Sequence, residues 1–139
     1  MRSEQPAPSE PIQTLFVVDD DPALVESLMD VLSDEGYRIE GFTEPAEALR
    51  LLLAGARPAA LILDYLMPGM TGEQFLAGLG EARAFVPVLL LSGLSDPFVG
   101  DWTVAAVLAK PIDLDRLLAL LDQVTRGPGR SRSTGEPLL

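Results

Sequence analysis

The sequence contains no cysteine and no histidine. The first absence excludes disulfides, thiolate metal sites and a cysteine nucleophile. The second removes the commonest general base and every imidazole ligand, leaving carboxylates, hydroxyls and lysine as the reactive groups. Lysine is itself scarce, since of the ten basic residues only Lys110 is not arginine. A site that needs a compact point charge on a flexible stem therefore has one candidate, because a planar guanidinium is a poor substitute. Long apolar runs are also missing. Runs such as Val86 to Leu91 fall far short of the roughly 20 residues that span a bilayer, and the opening MRSEQPAPSEP lacks the apolar stretch of a signal peptide. A cytoplasmic protein without membrane association is expected. Positive charge is outnumbered, giving a formal net charge of -11. That excess repels phosphate backbones and anionic lipid, so no direct nucleic-acid partner is expected.

What is present describes one packed domain. The chain has 139 residues, 47% hydrophobic and 22% charged, which is ordinary globular usage with room for a single core. Residues 1–11 are rich in Pro, Ser and Glu, and residues 127–139 (GPGRSRSTGEPLL) in Gly, Pro and Ser. Both read as disordered tails, the second equally as a linker, flanking a domain over residues 12–126. Strands are expected at Thr14 to Val18, Arg38 to Phe42, Ala59 to Leu63, Val86 to Leu91 and Ala105 to Ala109. The first helix follows the cap Asp21 and the first-turn Pro22, turns Leu24, Leu28, Val31 and Leu32 inward, and ends at Gly36. Thr43 is expected to cap the second, with Ala46, Leu49 and Leu53 on its apolar side and a stop near Gly55. Thr71 and Gln74 match a capping box before Phe75, Leu76 and Leu79. The last helix starts at Asp113 and carries Leu117, Leu118, Leu121 and Val124 inward. Between Ser92 and Ala105, Gly93, Pro97 and Gly100 leave space only for a shortened or irregular fourth helix, about residues 96–103. Five strands alternating with helices imply a parallel sheet covered on both faces, a three-layer α/β fold.

In open parallel sheets, ligands bind beyond the carboxyl ends of the strands. Every chemically notable residue falls there: Asp19 and Asp20 after the first strand, Asp64 after the third, Ser92 after the fourth, Lys110 after the fifth. Three neighbouring carboxylates repel one another by several kcal/mol per pair, a repulsion that a divalent cation resolves. All-oxygen ligation selects a hard ion such as magnesium, which keeps waters and coordinates phosphate oxygens. Lys110, the Ser92 hydroxyl and the ion can then neutralise a transferring phosphoryl group from three sides, with a carboxylate as nucleophile.

Four stretches of the chain, Leu15 to Pro22, Leu61 to Gly72 (LILDYLMPGMTG), Pro87 to Gly93 and Lys110-Pro111, together resemble the receiver domain of two-component response regulators, over about residues 12–126. The resemblance implies a doubly wound, flavodoxin-like sheet of order 2-1-3-4-5 and a phosphoprotein working in a phosphorelay. By position, Asp64 corresponds to the phosphoacceptor. Asp20 and Asp64 would hold Mg2+ directly, with the backbone carbonyl of Leu66 as a third ligand and Asp19 acting through water. Ser92 would bond a phosphoryl oxygen, Lys110 would pair with the phosphoryl group, and the Lys110-Pro111 bond would be cis. The donor would be a phosphohistidine on a sensor histidine kinase or histidine phosphotransfer protein, and phosphorylation would switch binding of an output protein. The chain would not be an enzyme beyond assisting its own phosphorylation and dephosphorylation.

Some positions depart from that pattern. Val107 stands where many receivers carry an aromatic that changes rotamer on activation, and the interval from Ser92 to Lys110 is several residues short, which alters a surface often used for partners. Leu66 and Leu94 are apolar where the family helps orient attacking water, so slow self-dephosphorylation is expected. Two rival readings are weaker. A phosphorylation-independent receiver-like interaction module would have lost an acidic residue or the lysine, and none is lost. A phosphohydrolase using an aspartyl phosphate would need an acid at Leu66. Asp21 reads only as a cap, Met67, Met70 and Trp102 as packing, and Glu26, Asp30, Asp34 and Glu35 as a wet helix face. Nothing after residue 126 reads as an effector domain, which fits a single-domain regulator or a receiver taken from a larger protein.

Overall fold

The computed structural model describes residues 11–93 and 104–126. The chain runs through β1 (Thr14–Val18), α1 (Pro22–Asp34), β2 (Arg38–Phe42), α2 (Pro45–Leu53), β3 (Ala60–Asp64), a small hairpin of β4 (Leu66–Met67) and β5 (Met70–Thr71), and α3 (Gly72–Leu79). A 3-10 turn over Gly80–Phe85 leads to β6 (Val88–Ser92), then β7 (Ala106–Ala109) and α4 (Leu114–Arg126). The five long strands form one parallel sheet in the order β2-β1-β3-β6-β7. This is the doubly wound order 2-1-3-4-5, with β6 and β7 as fourth and fifth strands. The expected fourth helix over 96–103 lies outside the described residues, as do the tails expected at 1–11 and 127–139 apart from Pro11.

The alternation of side chains along each strand divides the core in two. Phe16, Val18, Leu61, Leu63, Val88 and Leu90 face α2 and α3, where they meet Ala48, Leu52, Phe75, Leu76 and Leu79. Leu15, Val17, Ala60, Ile62, Leu89, Leu91 and Leu108 face α1 and α4, where they meet Val25, Leu28, Leu32, Leu117 and Leu121. β3, at the centre, is buried along its whole length, as expected of a parallel strand covered on both faces.

Several local expectations need correction. The fourth strand begins at Val88, not Val86, because Pro87 has no N–H for the ladder. The third runs through Asp64, and the fifth starts at Ala106. Thr43 does not cap α2. Pro45 fixes the first turn, so the extended Glu44 becomes the N-cap and makes no side-chain cap bond. The buried face of α2 is then Ala48 and Leu52, with Leu53 left 57% exposed. The caps at Asp21, accepting from the Ala23 N–H at 3.0 Å, and at Thr71 are found as expected. In the latter, Thr71 Oγ1 accepts from the Gln74 N–H at 3.1 Å while Gln74 Oε1 accepts from the Thr71 N–H at 2.9 Å. Thr71→Ala removes half of this box and is expected to lower unfolding stability by about 1 kcal/mol, read as a lower urea midpoint at constant slope.

Candidate functional site

The parity that divides the core also aims the chemistry. Asp19 continues the phase of Leu15 and Val17, Asp64 that of Ala60 and Ile62, and Lys110 that of Ala106 and Leu108, so all three leave the sheet on the α1/α4 side. Asp19 is fully buried and Asp64 is 3% exposed. The Lys110 ammonium bridges them, 2.9 Å from Asp64 Oδ1 and 3.4 Å from Asp19 Oδ2. The exposed Asp20 completes the group: one carboxylate oxygen from each of Asp19, Asp20 and Asp64 lies within 4.8 Å of the others.

Asp19 is held on both oxygens. Its Oδ1 accepts the Asp21 N–H at 2.9 Å and its Oδ2 faces Lys110. Its backbone N–H donates to the Phe42 carbonyl at 3.0 Å, tying the end of β1 to β2. Ser92 closes β6 at the same edge, where its hydroxyl donates to the Gly93 carbonyl at 3.2 Å. Its phase along β6 is that of Val88 and Leu90, which face α2 and α3. The Lys110 N–H donates to the Ser92 carbonyl at 2.9 Å, which fixes the two strand ends together. The Lys110-Pro111 peptide is cis, as expected.

Burial pushes the Asp64 carboxyl up from 3.8 to about 6, with the charges of Asp19 and Asp20 adding to it and the Lys110 bond opposing it. Burial alone would push Lys110 down, but its bonds and attraction to Asp64 and Asp19 prevail and raise it. One ammonium against three carboxylates leaves the pocket short of positive charge. Magnesium holds direct oxygen ligands at about 2.1 Å and takes further oxygens through its waters, so a set of three carboxylates within 4.8 Å fits the ion with some bound directly and another through water. Lys110→Met removes the only described cation of the cluster. It is expected to destabilise the metal-free protein by about 1–2 kcal/mol near neutral pH, less than a fully buried pair because the lysine side chain is 32% exposed. Urea unfolding in the presence of a chelator measures this, and added Mg2+ should recover part of the loss.

The profile of the response regulator receiver domain matches residues 15–122. The chain belongs to the response regulator receiver family. Membership places it in two-component signalling. The response regulator MprA of Mycobacterium sp. (strain KMS) is 35% identical over 129 residues, which covers 90% of this chain and 56% of that protein. The chain thus spans about half the length of such relatives. A response regulator receiver protein from Pseudomonas putida superposes with a TM-score of 0.73 at 28% identity, over 82% of this receiver and 98% of that chain. A response regulator receiver domain protein from Clostridium thermocellum superposes with a TM-score of 0.75, over 82% of this chain and 94% of that one. At 18% identity the latter is a likeness of fold alone.

Asp19, Asp20, Asp64 and Lys110 are therefore brought together in this receiver, with Ser92 alongside. Two contributors were missed in the sequence. Asp21, read only as a cap, also supplies the N–H that orients Asp19; the run of three aspartates was the available signal. The hairpin of β4 and β5, closed by the Gly72 N–H on the Tyr65 carbonyl, has strands too short for any periodicity to mark.

Proposed function

We propose that this receiver accepts a phosphoryl group on Asp64 from a phosphohistidine of a sensor histidine kinase or histidine phosphotransfer protein, in a reaction that requires Mg2+. The observation that carries this reading is the buried Asp64 carboxylate held 2.9 Å from the Lys110 ammonium beside two further carboxylates. Near neutral pH a carboxyl at about 6 is mostly ionised and can attack phosphorus. A bond forms between an Asp64 oxygen and phosphorus, the phosphorus–nitrogen bond of the donor breaks, and its electron pair leaves on the imidazole. Lys110, 2.9 Å from the acceptor carboxylate, would neutralise the transferring oxygens. Asp20, Asp64 and the Leu66 carbonyl would hold the ion directly. Asp19, with both oxygens engaged, suits an outer position through water. Bound there, Mg2+ supplies charge neutralisation to the phosphoryl oxygens. Ser92, at the same edge, would bond a phosphoryl oxygen. The cytoplasmic location and an output protein whose binding responds to phosphorylation belong to the same reading.

Incubating the protein with a small phosphoryl donor, with and without Mg2+, and measuring intact mass tests it. A gain of one phosphoryl group that depends on the metal is expected; no gain under either condition would favour a fixed-state interaction module. Leu66 is 50% exposed beside the acceptor and offers no side-chain partner to an attacking water; Leu94 lies outside the described residues. Slow self-dephosphorylation is expected, with the label persisting for minutes or longer after the donor is removed, and a half-life of seconds contradicts it.

A further inference from the structure

Residues 65–72 connect the acceptor to α3 and close on themselves. The Gly72 N–H donates to the Tyr65 carbonyl at 2.6 Å, Leu66 pairs with Thr71 and Met67 with Met70, and Gly69 turns the hairpin with φ +82, an angle that glycine adopts freely. Both ends are pinned. The Tyr65 N–H donates to the Leu91 carbonyl of β6 at 2.8 Å, and the capping box of Thr71 and Gln74 fixes the start of α3.

Gly72 is the crowded point of this unit. A Cβ there would lie 3.1 Å from Tyr65 Cα, 3.2 Å from Leu90 Cδ1 and 3.3 Å from Tyr65 Cδ1. Backbone stands on one side and the buried Leu90 and Tyr65 side chains on the other, so an added methyl group pushes its neighbours away by a few tenths of an ångström at the point where the 2.6 Å bond closes. Gly78, in the same helix, is also crowded, but by the tip of the Leu49 side chain at 2.9 Å, which can swing aside. The peptide that Gly72 holds is the one leading directly into Leu66.

We infer that Gly72 is a positioning residue for the metal site: by letting α3 close onto the Tyr65 backbone, it fixes the Leu66 carbonyl beside Asp64 and so sets magnesium affinity without touching the ion. This rests on the metal reading given above. Calorimetric titration of the full chain with Mg2+ tests it, comparing the parent with Gly72→Ala and Gly78→Ala. Gly72→Ala is expected to raise the dissociation constant about tenfold, the effect of losing a group that orients a ligand, whereas Gly78→Ala leaves it unchanged. A parent that binds no Mg2+ overturns the metal reading and this inference with it. A parent that binds, beside a folded Gly72→Ala that binds equally well, overturns the positioning role alone. Should Gly72→Ala fail to fold, the parent itself decides by amide NMR. The Gly72 resonance is expected to shift during the Mg2+ titration while that of Gly78 stays, and a Gly72 amide that does not move overturns the role.

Discussion

Asp64→Asn is expected to abolish phosphoryl incorporation completely while leaving the fold intact. The amide is nearly the shape of the carboxylate, so the buried position at the end of β3 is kept and Lys110 retains Asp19 as a partner. What is lost is nucleophilicity, because an amide oxygen carries no charge to deliver to phosphorus. Intact mass after incubation with donor and Mg2+ should show one phosphoryl group on the parent and none on the variant. Equal labelling of both proteins would move the acceptor elsewhere. Loss of labelling with loss of the folded far-ultraviolet spectrum would point to damage rather than chemistry.

The same substitution should reshape the pH dependence of stability. The folded-state carboxyl of Asp64 is raised from 3.8 to about 6, chiefly by burial. The native state therefore holds this proton more tightly than the unfolded chain, and its contribution is full below 3.8 and lost as pH rises through about 6. The interval corresponds to about 3 kcal/mol. Lys110 is raised as well, so its contribution persists until pH passes its own ordinary range and does not change in this window. In the presence of a chelator, the difference in unfolding free energy between Asp64→Asn and the parent should grow in the variant's favour by roughly 3 kcal/mol between about pH 4 and pH 7. Saturating Mg2+ should return about 3 kcal/mol to the parent at a hundredfold excess over its dissociation constant. A constant difference across this range would show that the carboxyl titrates as if in water.

Much of this was legible because it depends on short-range chemistry. The apolar runs gave the five strands, and the run through Leu61, Ile62 and Leu63 marked a central strand by lacking any polar alternation. Asp19, Asp64 and Lys110 were found because each directly follows such a run and because lysine occurs nowhere else. Less was legible where tertiary packing chooses among near-equivalent positions. Ala46 and Leu53 are as apolar as Ala48 and Leu52, and only the entry set by Pro45 turns the latter pair inward. Likewise nothing in the sequence says that Gly72 closes onto Tyr65, since the crowding arises between a helix start and a strand end that meet only in the folded chain.

The division of the sheet into two faces restricts how the molecule can change. One residue inserted within β3 ahead of Asp64 would rotate the acceptor to the other side, among Phe75, Leu76 and the rest of the α2/α3 core. The same slip in β1 would carry Asp19 away from Lys110. Length changes are therefore compatible with signalling only in the connections, and each strand must keep an unbroken count of residues up to the one that reacts.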